Sequence, residues 1–142
     1  MNAMATAEVV RHAAAQPGRR SLAEWTRLVD TCLRDLDRPM RLRRSPLVKL
    51  PGVLRFAKRR HPDNPHGCVL ALQELLMRAV DVSLPALSPR ERRFLERYAS
   101  GESIAAIGRE MGMSRSHLSS VYRPTVGEAV AVALRSLVDA TP

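Results

Sequence analysis

The stretch from Leu87 to Val121, LSPRERRFLERYASGESIAAIGREMGMSRSHLSSV, constrains the fold of this chain more than any other. Ser88 and Glu91 stand at the spacing of a capping box, in which each residue's side chain accepts from the other's amide. Pro89 falls at the first helical position, where a missing N–H costs nothing. Phe94, Leu95 and Tyr98 then form an apolar stripe, and Gly101 is placed to end the helix in the left-handed conformation. Ser103 is the cap of a second helix carrying Ile104, Ile107 and Met111 at helical spacing.

Gly112 sits where a sharp turn needs a positive φ, which a residue without Cβ adopts freely. Gly108 is small where two helices must approach, and Met113 supplies an apolar plug for the turn. Ser114 caps a third helix, whose inward face is read as Leu118 and Val121. The spacing therefore predicts three short helices, the last two arranged as a helix-turn-helix. A plain helical hairpin meets one or two of these requirements, whereas Ile107, Gly108, Met111, Gly112, Met113, Leu118 and Val121 meet them together.

The residues LSPRERRFLERYASGES and IGREMGMSRSHL resemble the C-terminal DNA-binding domain of LuxR-type (GerE/NarL-like) bacterial transcription regulators. The similarity resumes at GEAVAVALRSLV, Gly127 to Val138, which is similar to that family's fourth helix, so the resemblance spans about residues 86–139. Sigma-factor region four and resolvase-type units share the same pattern. The chain departs from the family where Pro124 follows soon after Val121, shortening the recognition helix and the loop before the fourth helix. The resemblance implies major-groove binding and dimerisation through the fourth helix, hence a homodimer through Val126–Val138.

Composition agrees with an all-α protein. Aromatic residues make up only 4% and show little strand-like alternation, while 45% apolar residues argue against global disorder. The formal charge of +9 calls for a polyanionic partner, most simply double-stranded DNA. No apolar run approaches the ~20 residues of a membrane span, and no membrane partner is expected. The first residues lack the charged-then-apolar order of a secretory signal. Two cysteines, Cys32 and Cys68, form no CxxC pair and no disulfide framework, which suits a reducing, cytoplasmic and nucleoid-associated location.

Three segments are expected: an Ala-rich, basic and flexible N-terminus over 1–20, a basic helical lobe over 21–83, and the helix-turn-helix domain over 84–142. A short helix around Ala3–Ala15 fits the first. In the second, Ser21 and Glu24 form another capping box ahead of the stripe Leu22, Trp25, Val29, Cys32, Leu33 and Leu36, giving a helix to about Asp37 that Pro39 ends. Pro46 and Pro51 open two short helices. Asn64 and Pro65 open the next, over Val69 to Val82, with Val69, Leu72, Leu76 and Val80 on one face and Leu70, Leu75 and Met77 widening it. The last helix is expected to begin at Thr125, capped through Glu128, with the stripe Val126, Ala129, Val130, Ala133, Leu134, Leu137 and Val138 serving as core or as a dimer seam.

Residues 1–83 carry 15 Lys/Arg against 8 Asp/Glu, a surplus of seven, whereas residues 84–142 carry 8 against 6. The positive charge thus lies mostly outside the apparent DNA reader. Arg41, Arg43, Arg44, Lys58, Arg59 and Arg60 are candidate phosphate contacts; solvated helix faces and docking on an acidic protein such as RNA polymerase are the alternatives. The base-reading candidates are Ser114, Arg115, Ser116, His117, Ser119 and Ser120, with Tyr122 and Arg123 near the end of the helix.

The sequence reads as a sequence-specific DNA-binding transcription regulator, using the helix Ser114–Arg123 in the major groove. The alternative is an adaptor docking on the transcription machinery or another regulator. His61, Asp63, His66 and Cys68 are metal-capable, but their spacing matches no zinc template. With no acid–base pair, nucleophile context or phosphate-cradling glycine loop, neither enzyme activity, metal nor cofactor is expected.

Overall fold

The structure is a computed structural model that describes residues 20–141. The expected helix around Ala3–Ala15 lies outside the described residues. Within them every regular element is helical and no strand occurs. The chain is all-α.

The first helix, α1 (Leu22–Arg34), starts where the Ser21 hydroxyl accepts from the Glu24 amide. It ends sooner than the stripe suggests: Asp35 leaves helical geometry, and Leu36 is buried from the turn that follows. Two 3₁₀ turns, Pro39–Arg44 and Pro46–Lys49, carry the chain to α2 (Pro51–Arg60), with a proline opening each of the three. The next helix, α3 (Gly67–Ser83), begins at Gly67 rather than at Pro65. The Asn64 side chain accepts from the His66 amide instead of capping a helix at Pro65, and Asp63 holds a φ of 61°. Val69, Leu72, Leu75, Leu76 and Val80 are buried, while Met77 faces solvent.

A 3₁₀ turn (Leu84–Ala86) leads to α4 (Pro89–Ala99), where both halves of the Ser88–Glu91 capping box are formed. Gly101 follows at φ 90°. Then come α5 (Ile104–Met111), capped by Ser103, and α6 (Arg115–His117), capped by Ser114. Gly112 lies between them at φ 66°. A Cβ on Gly108 would meet the Met113 carbonyl oxygen at 2.7 Å, so the glycine is required by the close approach of the turn.

The expected break at Pro124 is absent. Leu118–Tyr122 forms a π turn that joins α6 directly to α7 (Arg123–Ala140), so Arg115 to Ala140 is one uninterrupted helical rod. A proline inside an α-helix removes one hydrogen bond and crowds the carbonyl four residues earlier. The wider turn accommodates both effects. Arg123 donates its amide to the Leu118 carbonyl, and the Thr125 hydroxyl donates to the Val121 carbonyl. Thr125 is therefore inside a helix and does not cap one with Glu128. The same turn exchanges two side chains: Tyr122 packs against the core, and Val121, expected inward, is 45% exposed.

A single core crosses the boundary expected near residue 84. Helix α7 packs along both α1 and α3, burying Val126, Val130, Ala131, Ala133, Leu134 and Val138 with Trp25, Val29, Leu33, Leu72 and Leu76. Gly127 brings α7 against Thr26 of α1, and Gly52 brings α2 against the Val138 backbone. Val126, Val130, Leu134 and Val138, read as core or as a dimer seam, are thus occupied in the core of the chain, and of that stripe's neighbours Val132 faces outward at 42% exposure. No helix among the described residues is long and apolar enough to cross a membrane.

Alanine at an α5 interior position normally gains up to about 1 kcal/mol over glycine. At Gly108 the main-chain clash overrides this preference, and Gly108→Ala is expected to lower stability by about 1–3 kcal/mol in urea unfolding. An unchanged or raised midpoint would show that the turn has room to yield.

Candidate nucleic-acid interface

The turn between α5 and α6 aims one polar helix face at solvent. Arg115, Ser116, His117, Ser119 and Ser120 are all exposed, with Ser114 exposed at the cap. Opposite them Leu118 is fully buried and anchors the turn to the core. The Ser120 hydroxyl donates back to the Ser116 carbonyl and keeps its lone pairs outward. His117 rests against the Tyr122 ring at 5.6 Å, and Tyr122 meets Phe94 edge-on at 6.0 Å. Phe94 in turn stacks on Tyr98 at 5.3 Å. Tyr122 is therefore half-buried between His117 and the Phe94 ring.

Arg123 borders the same groove as Arg115 and Ser119, but an ion pair occupies it there. Its guanidinium grips the Asp30 carboxylate with two nitrogens: Nε donates to Oδ1 at 2.9 Å and Nη2 to Oδ2 at 2.6 Å. The Tyr98 hydroxyl donates to Asp30 Oδ1 at 3.0 Å. One carboxylate thus holds α1, α4 and the start of α7 together. Burial, followed by the negative charge of Asp30, raises the Tyr98 hydroxyl above its ordinary value of 10.0. The hydrogen bonds to Asp30 hold the Arg123 guanidinium more firmly protonated.

A second ionic group fixes α5 on α4. Arg97 contacts Glu102 at 3.3 Å and pairs closely with Glu110, which Arg93 approaches at 3.7 Å. One ionic group thus ties α4 to α5, and the other ties α1 to the start of α7.

The basic residues expected to touch phosphate separate into two groups. Arg41 joins Arg34 and Arg38 in lining a groove of about 610 Å³ whose other wall is Ser103–Ala105 with Arg115, Ser119 and Arg123. Arg43 and Arg44 are exposed beside it, and Arg44 lines the adjoining hollow around Cys32. Lys58, Arg59 and Arg60 belong to the exposed end of α2, where Glu74 of α3 engages Arg60. Arg38 belongs to the basic stretch Arg38–Arg60 read from the sequence as a phosphate-contacting surface, whereas Arg34 was not singled out. Their relation to Arg115 depends on how α1 meets the rod, which no local spacing encodes.

His61, Asp63, His66 and Cys68 do not converge. His61 Nε2 lies 3.7 Å from Glu74 and has no hydrogen-bond partner, while Asp63 and His66 are exposed. No group of three or more His, Cys, Asp or Glu placed to hold a metal occurs among the described residues. Cys32 and Cys68 are both free thiols; burial, first among the causes, raises Cys32 above its ordinary value.

No family model matches the chain, and no curated protein or solved structure matches it.

Removing the Asp30 carboxylate leaves Arg123 and Tyr98 without their shared acceptor. Asp30→Ala is expected to cost on the order of 2 kcal/mol in urea unfolding; a change within experimental error would mean that solvent replaces the clasp at no cost.

Tyr98 adds a pH dependence with a definite sign. Its raised folded-state value makes the protonated hydroxyl stabilising below its ordinary value of 10.0, and this contribution declines as pH rises through the folded-state value. Unfolding midpoints should fall less steeply above about pH 10 in Tyr98→Phe than in the unaltered chain. Parallel curves would remove Tyr98 from the alkaline transition.

Proposed function

We propose that this protein is a sequence-specific DNA-binding transcription regulator that reads the major groove with the helix beginning at Arg115. The observation that carries the reading is the exposed face of Arg115, Ser116, His117, Ser119 and Ser120, presented after a glycine-pivoted turn on a helix whose opposite side is anchored in the core. A major groove about 12 Å wide admits one such helix, and side chains near its N-terminus meet base edges first. Arg115 suits the two acceptors of guanine, the serines suit either base type, and exposed Val121 suits a thymine methyl group. The charge of +9 supplies the sequence-independent attraction that such a reader needs.

The reading makes Arg123 and Tyr122 supports rather than contacts. It also separates base recognition by the helix face from backbone attraction by the basic surface.

An adaptor that docks on RNA polymerase or another regulator is the second reading. It is favoured by an apolar hollow between the end of α3 and α7, lined by Val82, Leu87, Ala129, Val132, Ala133 and Leu137, where Val82 is 58% and Val132 42% exposed.

Selection from a pool of random duplex DNA, followed by sequencing of the retained molecules, separates the two readings. The DNA reader is expected to enrich a short motif. Arg115→Ala should weaken binding to that motif by about 1–3 kcal/mol, or roughly fivefold to 150-fold, and relax preference at one position. Retained DNA with no motif, or a motif unaltered by Arg115→Ala and His117→Ala, would overturn the assignment of this face. A paired half-site arrangement in the motif would mark a dimer.

A further inference from the structure

The groove beside the reading helix gives the proposed DNA complex a second point of attachment. Arg34, at the end of α1, and Arg38 and Arg41, in the turns that follow, line one wall; Arg115 and Ser119 of the rod contribute to the other. Three carboxylates also border the groove: Asp35, Asp37 and Glu102. Asp35 approaches Arg41 at 3.6 Å, and Glu102 is engaged by Arg97 at 3.3 Å. Among the described residues, no carboxylate lies within 4.0 Å of the guanidinium groups of Arg34, Arg38 or Arg115.

These cations are held by backbone with few ways to move. Arg34 is in the last turn of a helix anchored by Trp25, Val29 and Leu33; Arg38 precedes, and Arg41 lies within, a 3₁₀ turn pinned by buried Leu42. The Gln73 side chain donates to the Leu36 carbonyl and fixes the same segment to α3. Planar guanidinium groups suit phosphate oxygens, which they can meet with two parallel N–H donors.

We propose that Arg34, Arg38 and Arg41 form a phosphate clamp that grips one DNA strand alongside the reading helix. The proposal rests on the DNA-reading role of the helix beginning at Arg115. A helix seated in the major groove has a sugar-phosphate strand along each flank, and the groove opens along the Arg115–Ser119 flank. The strand on that side passes the three arginines, while Arg115 reaches the base edges beyond it. The clamp belongs to the N-terminal half, so DNA engagement uses both halves of the chain. Lys58 and Arg59, on α2, take no part in it.

The test compares three full-length proteins by DNA affinity across a salt series, using the selected motif and an unrelated duplex. One is unaltered. One carries Arg34→Gln, Arg38→Gln and Arg41→Gln, and the charge-matched control carries Lys49→Gln, Lys58→Gln and Arg59→Gln. All six altered positions are exposed. The clamp variant is expected to bind both duplexes roughly tenfold or more weakly. Its plot of log affinity against log salt should be shallower by about 2–3, with the enriched motif unchanged. The control should change much less.

Equal losses in the two variants would reduce the effect to net charge and overturn the clamp. A clamp variant that binds like the unaltered protein, while Arg115→Ala still relaxes preference at one position of the motif, would overturn the clamp and leave the reading helix standing. If the unaltered protein binds no duplex at low salt, clamp and reader fall together.

Discussion

The helical rod from Arg115 to Ala140 governs how the two halves of the molecule meet. Its first turns carry the exposed polar face, and its remaining length is the partner on which α1 and α3 complete their core. A helix-turn-helix usually ends its recognition helix and begins another element. Here the π turn at Leu118–Tyr122 lets the backbone continue past Pro124. The side chains buried by Val126, Val130 and Leu134 therefore also set the position of Arg115. Packing far from the exposed polar face determines where that face points.

Polar interactions refine what apolar burial establishes. The Asp30 carboxylate, accepting from both Arg123 and Tyr98, lies where the π turn passes α1 and α4. Partly buried ionic groups with several donors select one geometry over its neighbours more surely than they add net stability. Rotating the rod would carry Arg123 away from Asp30 and Tyr122 away from Phe94 together. The aromatic column of Tyr98, Phe94 and Tyr122 thus works with the carboxylate to fix the presentation of His117 and its neighbours.

Local features of the fold were legible in the sequence because they are written within a few residues of where they act. The Ser88–Glu91 box, the Ser103 and Ser114 caps and the left-handed Gly112 each depend on chemistry within one turn. The polar face from Arg115 to Ser120 follows from helical spacing alone. Pro124 misled for the same local reason: proline ordinarily marks a boundary, and nothing nearby announces a turn wide enough to absorb it. The cap assigned to Thr125 followed from that reading, whereas Val121 was placed inward by α-helical spacing from Leu118, which the π turn breaks. Arg123 meets Asp30 across 93 residues, and Arg34 and Arg38 come to line one groove with Arg115 only after α1 has docked. Such relations arise from tertiary packing, which spacing does not encode.

A continuous helix also couples rotation at its two ends. Each residue advances the side-chain direction by about 100°, so changing the register of the outward face by a single position would turn the whole rod through that angle. Gly127 would leave its seat against Thr26, and the carboxyl end would turn beneath Gly52. The face can tilt as a unit with the core, but it cannot spin independently. The chain therefore has one built-in orientation for Arg115, keyed at the opposite end by a glycine that has no side chain to spare.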